Sequence, residues 1–161
     1  MRKSLIIICL LSLGLAAVIS SCNREEVYPD VPAVTFKDFS FEDTIILGNT
    51  VKRGCLTFSF TDGDGDIGFD TTQPRQNTIY MTKYKMKNNV LSQMELLVDL
   101  NYFVERIYSD DKRHSVSGDM KVEELNEYMS SFGDTIMYKF YIVDRAGNRS
   151  NVDSTGLIVV Q

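Results

Sequence analysis

The sequence predicts an all-β protein, an antiparallel β-sandwich of about seven or eight strands. In two segments, apolar and polar side chains alternate with a period of two, which is the pattern of a strand that covers a core with one face. The apolar positions of segments 53–61 and 135–144 are Leu56, Phe58 and Phe60, and Ile136, Tyr138, Phe140 and Ile142. Further segments are rich in β-branched or aromatic residues, and this many strands in one domain indicate two packed sheets.

The chain begins with a segment typical of protein export. Arg2 and Lys3 precede an almost unbroken apolar run, 5–19, which is followed by the small residues Ser20 and Ser21. The run is shorter than the roughly 20 residues that cross a hydrocarbon core, so a retained transmembrane helix is the weaker alternative. We therefore predict that residues 1–21 are a cleaved signal peptide.

The end of this segment, Ile19-Ser20-Ser21-Cys22, resembles the lipobox of bacterial lipoproteins. The resemblance implies cleavage before Cys22 and a covalent lipid, with acyl chains such as palmitate, on that cysteine. Two or three chains make such an anchor stable, because each buried methylene contributes about 0.8 kcal/mol. The alternative is an ordinary secretory signal with an incidental cysteine.

Residues 22–32 are predicted to be a lipidated amino terminus and an extended, poorly packed linker, because they are polar and contain two prolines. The acidic pair Glu25-Glu26 resembles the export signal of Bacteroidota lipoproteins that reach the outer face of the outer membrane. The alternative is a solvated linker charge. The expected location is therefore the cell envelope, as an outer membrane lipoprotein exposed at the cell surface.

The negative charge of the chain that remains after cleavage limits the classes of partner that it can bind. Without Arg2 and Lys3 it keeps 15 Lys and Arg side chains against 22 Asp and Glu, so it repels nucleic acid and anionic headgroups. Membrane contact is expected through the lipid alone.

Because Cys9 leaves with the leader and Cys22 carries lipid, Cys55 has no disulfide partner, and we predict a buried structural cysteine rather than a nucleophile.

Residues 33–161 are predicted to form one β-sandwich domain. Beyond the two alternating segments, the strand candidates are 33–40, 78–87, 93–100, 102–108, 115–122 and 156–161. A helix competes only in 121–132, where we predict the end of a strand followed by a turn.

The last third resembles the closing strands of immunoglobulin-like and fibronectin type III-like modules of bacterial surface proteins. The resemblance rests on Leu125, Asp134-Thr135, Tyr138 and the loop DRAGNRSN at 144–151. It implies an immunoglobulin-like antiparallel β-sandwich, a fold that does not specify a function. The long middle, 88–119, departs from those modules and is expected to hold extra strands or an elaborated hairpin.

The segment TDGDGDIGFD places Asp62, Asp64 and Asp66 at alternate positions separated by glycines. Such close carboxylates repel one another unless a cation or good donors compensate, and hard oxygen ligands suit calcium. The loop is not an EF-hand, because that motif's sixth and twelfth positions hold Ile67 and Gln73 here. It resembles an acidic DGDGDIG turn that recurs in lipoproteins of Bacteroidota.

A second loop is expected to share this site. If the acidic loop follows the second strand and DRAGN follows the sixth, both lie at one end of the sandwich. Asp144 and Asn148 then complete a structural calcium site with Asp62, Asp64 and Asp66. The alternative is an Asp-Gly turn whose carboxylates accept hydrogen bonds from their own loop amides, without metal.

Sequence patterns for catalysis are weak. The single histidine, His114, lies in the charged run SDDKRHS and is predicted to be an exposed loop residue. Four tyrosines offer material for a carbohydrate platform, although strand tyrosines more often lie at an edge or in the core: Tyr80, Tyr84, Tyr102 and Tyr108.

We therefore expect a non-enzymatic, lipid-anchored surface module with a binding or structural role and an unidentified protein or glycan partner. The alternative is an accessory carbohydrate-binding lipoprotein of a glycan-uptake system, and a hydrolase is less favoured.

Overall fold

A computed structural model describes residues 26–72, 76–108 and 112–161. The predicted signal peptide 1–21, the lipidated Cys22, Glu25 of the acidic pair and the acids at 110–111 lie outside these residues. The described chain is all-β apart from one 3₁₀ turn, Met129–Ser131, and its strands form antiparallel sheets, which confirms the predicted fold class. None of the described helices is long and apolar enough to cross a membrane.

The strands in chain order are β1 (Ala33–Ile46), β2 (Asn49–Asp62), β3 (Ile79–Lys87), β4 (Val90–Gln93), β5 (Leu100–Tyr102), β6 (Val116–Tyr128), β7 (Thr135–Ile142), β8 (Asp153–Ser154) and β9 (Ile158–Val159). The first sheet has the order β1-β2-β6. In the second sheet the order is β4-β3-β7-β8, with β5 also paired to β3 and β9 to β7. With β1, β2 and β6 on one sheet and β3, β7 and the divided last strand, β8 and β9, on the other, the arrangement corresponds to strands A, B and E and strands C, F and G of immunoglobulin-like sandwiches.

The core lies between the two sheets and comes from the alternating positions that the sequence indicates. Leu56 and Phe58 of β2 are fully buried, as are Phe140 and Ile142 of β7. Phe58 and Phe140 contact each other across the interface, with ring centroids 4.8 Å apart. Burying one such side chain contributes about 1.5–3 kcal/mol, so these two strands supply the central packing of the domain.

One ion pair joins the sheets within this interior. Lys83 of β3 and Glu127 of β6 are both nearly inaccessible to solvent and form a salt bridge. The hydroxyl of Tyr138 donates a hydrogen bond of 3.0 Å to the same carboxylate. Burial and the nearby charge of Glu127 raise the pKa of Tyr138, so the phenol stays protonated and keeps donating.

Several predicted strand boundaries are wrong. β1 and β2 form a hairpin that reaches well beyond 40 and begins before 53, with its turn at Leu47-Gly48. The predicted strands 93–100 and 102–108 are mostly loop, and 156–161 keeps only the short β9 because the last strand is split into β8 and β9. Segment 121–132 is a strand end followed by a 3₁₀ turn, as predicted.

The predicted poorly packed linker is also wrong for residues 28–32. The backbone N–H of Tyr28 donates a hydrogen bond of 3.1 Å to Ser115, and Asp30 forms an ion pair with Arg113. A Cβ at Gly63 would lie 2.2 Å from the carbonyl oxygen of Tyr28. The segment before β1 therefore packs directly on the acidic loop.

Candidate metal centre

The acidic loop begins at the last residue of β2. Asp62 has no exposed surface there, whereas Asp64 and Asp66 are half-buried. Glycine allows the tight path between them: Gly65 has a φ of +70°, and a Cβ at this position would lie 2.2 Å from the carbonyl oxygen of His114. The glycines therefore allow the loop that carries the three aspartates to pack closely against the backbone of His114.

The second loop follows β7 and contains Asp144, of which 1% is exposed. Asn148 donates a hydrogen bond to each oxygen of this carboxylate. Its backbone N–H donates to Oδ1 at 2.7 Å, and its Nδ2 donates to Oδ2 at 2.8 Å. Asn148 thus orients Asp144.

The two loops lie at the same end of the sandwich, as the strand order predicts. One carboxylate oxygen from each of Asp62, Asp66 and Asp144 lies within 4.8 Å of the others. The backbone N–H of Arg145 donates to the carbonyl oxygen of Asp66 at 3.2 Å, and that of Ala146 donates to its Oδ2 at 2.9 Å. These cross-loop bonds fix Asp66 between the loops.

Of the five predicted ligands, the structure thus brings three together: Asp62, Asp66 and Asp144. Asp64 lies in the same loop, close enough for its charge to act on Asp62. Asn148 donates hydrogen bonds to both carboxylate oxygens of Asp144. The calcium ion itself stays a prediction.

The cluster carries an unfavourable concentration of negative charge. Burial raises the pKa of Asp62 to about 7, and the charges of Asp64, Asp66 and Asp144 add to the effect. Burial also raises the pKa of Asp66, as does the charge of Asp144. Near neutral pH the site therefore favours the binding of a proton or of a cation.

Three carboxylate oxygens stand out in this cluster. The Oδ1 atoms of Asp62, Asp64 and Asp66 are buried and accept no hydrogen bond from any residue that the structure describes. By contrast, Oδ2 of Asp62 accepts the backbone N–H of Asp66 at 3.0 Å. Buried polar atoms normally have a partner, so these oxygens are the atoms at which a cation, a proton or a water molecule can bind.

Arg145 is a part of the site that the sequence interpretation missed. Its guanidinium donates to the carbonyl oxygen of Gly68 at 2.9 Å, and its charge lowers the pKa of Asp66. The available signal was a basic residue directly after Asp144 in the DRAGN loop. One arginine compensates only part of the charge of four aspartates.

The predictions for His114 and Cys55 need correction. His114 is half-buried rather than exposed: its backbone N–H donates to the carbonyl oxygen of Asp64 at 3.2 Å, and its ring stacks on Tyr108 with centroids 4.2 Å apart. Cys55 forms no disulfide with any described residue, and it is half-buried on β2 rather than buried.

The other tyrosines lie on different surfaces. Tyr80 and Tyr84 lie on the outer face of β3, where Tyr80 stacks on Tyr141 of β7. Tyr102 lies at the end of β5, where burial raises its pKa. The four tyrosines considered from the sequence therefore do not form one row.

Comparison with known proteins adds no relative: no protein-family model, no curated protein and no solved structure matches this chain.

Proposed function

We propose that this chain is a lipid-anchored module of the bacterial cell surface, with a binding or structural role and no catalytic one, whose loop end is stabilised by a calcium ion. The observation that carries the metal proposal is the approach of Asp62, Asp66 and Asp144 to within 4.8 Å, with Asp62 fully buried. The lipid anchor is supported by the lipobox-like segment that ends at Cys22.

A cation explains more of the cluster than a metal-free turn does. Loop amides account for one oxygen each of Asp62 and Asp66 and for both oxygens of Asp144. They leave the buried Oδ1 atoms of Asp62, Asp64 and Asp66 without a donor among the described residues. An uncompensated buried carboxylate is strongly unfavourable, and a bound cation removes both the repulsion and the missing contacts.

Calcium suits the chemistry of this donor set. It takes 6–8 oxygen ligands in flexible geometry, whereas magnesium requires near-ideal octahedral coordination and retains water. The candidate donors are carboxylate oxygens on two separate loops, so the ion would connect β2 to β7 at one end of the sandwich. Its role there is structural, because it replaces repulsion between the loops with attraction.

The test is the melting temperature of the purified protein in about 10 mM calcium and in chelator. With a dissociation constant of about 0.1 mM, the ion adds about 2.7 kcal/mol of stability, a shift on the order of 5–10 °C for a domain of this size. Replacing Asp62, Asp64 and Asp66 by Asn should abolish the shift, and Asp144→Asn should weaken it.

The triple variant should be at least as stable as the wild type in chelator, because the repulsion is gone. Glu123→Gln is the matched control, since Glu123 is an exposed acid on β6, and it should keep the full calcium shift. Identical melting curves of the wild type in calcium and in chelator would mean that the loop is only a turn.

The alternative role, an accessory carbohydrate-binding lipoprotein, is favoured by one separate observation. A cavity on the outer face of the second sheet is lined by Tyr80 and Tyr141, and aromatic rings are suited to the apolar faces of sugars.

A further inference from the structure

The cavity on the outer face of the second sheet has the size of a small-molecule site. Its volume is about 440 Å³, within the range of roughly 300–1,000 Å³ that is typical of ligand pockets. The side chains that matter for recognition are two tyrosines, two amides and two acids: Tyr80, Tyr141, Gln93, Asn101, Glu95 and Asp99.

The wall of this cavity arises from an interruption in the sheet. β4 pairs with Tyr84–Lys87 of β3, and β5 pairs with Ile79–Met81, so residues 94–99 stand opposite only Thr82 and Lys83. Six residues cannot all pair with two, so segment 94–99 leaves the β-ladder, and four of its residues line the cavity. The N–H of Met94 donates to the carbonyl oxygen of Lys83 at 2.9 Å, which anchors the segment at its start, and β5 anchors its end.

The rings of Tyr80 and Tyr141 form the aromatic floor of the cavity, and stacking holds them in place. Tyr80 and Tyr141 are direct cross-strand partners, with ring centroids 5.1 Å apart and ring planes inclined by 6°. The guanidinium of Arg149 lies 3.7 Å from the centroid of Tyr141. These contacts restrict the rotamers of both rings, so a ligand that stacks on them loses little side-chain entropy.

Around the aromatic floor, the polar groups are those that hydroxyl-rich ligands require. Carboxylates of Glu95 and Asp99 accept hydrogen bonds, whereas the amides of Gln93 and Asn101 both donate and accept. Asn101 is the cross-strand partner of Tyr80, which places an amide directly beside an aromatic ring. A pyranose ring has an apolar C–H face and a rim of hydroxyls, and it matches both features.

We propose that this cavity is a binding subsite for a neutral saccharide, in which the sugar stacks on Tyr80 and its hydroxyls bond to the acids and amides at 93–101. Glu95 and Asp99 disfavour anionic sugars by direct repulsion, and the ammonium of Lys83, which also lines the cavity, is paired with Glu127. The inference deepens the proposed binding role by naming a ligand class, and it does not depend on the calcium site.

The test is isothermal titration of the purified protein with neutral hexasaccharides of glucose, mannose and xylose, and with tetragalacturonate as the anionic comparison. At least one neutral probe should bind the wild type and tetragalacturonate should not. Tyr80→Ala should weaken binding about tenfold or more, since the loss of about 1.4 kcal/mol of ring contact corresponds to tenfold. Tyr80→Phe should retain most of the affinity.

Tyr84→Ala is the matched control. Tyr84 lies on the same face of β3, but it contacts Lys139, whose ammonium is 5.0 Å from the ring centroid, and it does not line this cavity. This variant should bind as the wild type does. The proposal is overturned if no neutral probe binds the wild type, if tetragalacturonate binds equally well, or if the two alanine variants lose affinity to the same extent. The calcium-dependent melting shift should persist in Tyr80→Ala, so failure of one proposal is distinguishable from failure of the other.

Discussion

Asp62 is a carboxylate without exposed surface, with carboxylate oxygens of Asp66 and Asp144 within 4.8 Å of one of its own. A protein retains such an arrangement at a cost, because charge repulsion and lost hydration both oppose folding. The spacing of the aspartates and the order of the strands predicted that the loops containing Asp62 and Asp144 would meet. Which oxygens accept amide hydrogen bonds, and the role of Arg145, depend on loop conformation and could not be predicted from residue types alone.

The raised pKa of Asp62 predicts how the stability of the metal-free protein depends on pH. The folded pKa is about 7 and the unfolded value is 3.8, so between about pH 4 and pH 7 the folded state binds the extra proton. Stability in chelator should therefore fall as pH rises through this window and level off above it. Urea unfolding at pH 5 and pH 8 measures the difference.

Asp62→Asn should reduce this loss of stability, and calcium should offset it at pH 8, where the carboxylates are free to bind the ion. If the metal-free wild type is equally stable at pH 5 and pH 8, or more stable at pH 8, the electrostatic description of Asp62 is wrong.

The strands differ in how well the sequence predicted them. Alternation located the buried centres of β2 and β7, because each of these strands has one face on the core. Segment 93–100 also has strand-forming residues, but six of its residues stand opposite two of β3 and leave the ladder. Such a mismatch is a property of the paired strands, so neither sequence segment reveals it. The part of the β1–β2 hairpin between residues 41 and 52 was missed for a different reason, because most of its side chains are exposed or half-buried and do not alternate clearly.

The amino-terminal half of β1 is held by side chains from the last part of the chain. Asn151 accepts from the N–H of Val34 and donates to its carbonyl oxygen, both at 2.9 Å, and Asp153 accepts from the N–H of Phe36 at 2.7 Å. We expect Asn151→Ala to destabilise the domain by about 1–2 kcal/mol, because two hydrogen bonds are lost. Hydrogen exchange at the Val34 amide should accelerate.

Asn49→Ala is the control for this prediction, because Asn49 lies at the opposite end of the hairpin with an exposed side chain. It should leave exchange at Val34 unchanged. Equal protection of Val34 in the Asn151→Ala variant and the wild type would show that the side-chain contact does not hold β1.

At the scale of the whole molecule, the strand directions place the acidic loops at the end of the sandwich where the described chain enters it. β1 starts at Ala33, which pairs with Thr61, so the chain enters the sandwich beside Asp62. The packed segment 28–32 precedes β1 at this end and lies against the acidic loop. The hairpin turn at 47–48 lies at the opposite end of β1 and β2.

Cys22→Ser tests the anchor. Because the thiol is the acyl acceptor that the lipobox resemblance implies, the variant should remain uncleaved or become soluble, and it should take up no label from a fatty-acid analogue. Label that persists on the variant would contradict lipidation at Cys22. Protease added to intact cells should degrade the wild-type domain if it is exposed at the surface, whereas full protection would place it on an inner leaflet.

The most direct test of the calcium proposal is a titration of the protein followed by two-dimensional NMR of its backbone amides. The N–H groups of Asp66, Ala146 and Asn148 donate to carboxylates of Asp62, Asp66 and Asp144, respectively. We predict that these three signals move together along one saturable curve, with a dissociation constant of about 0.1–1 mM, and that Asp62→Asn abolishes the response. Signals that stay in place in excess calcium, or that move equally in Asp62→Asn, would contradict a calcium site between the two loops.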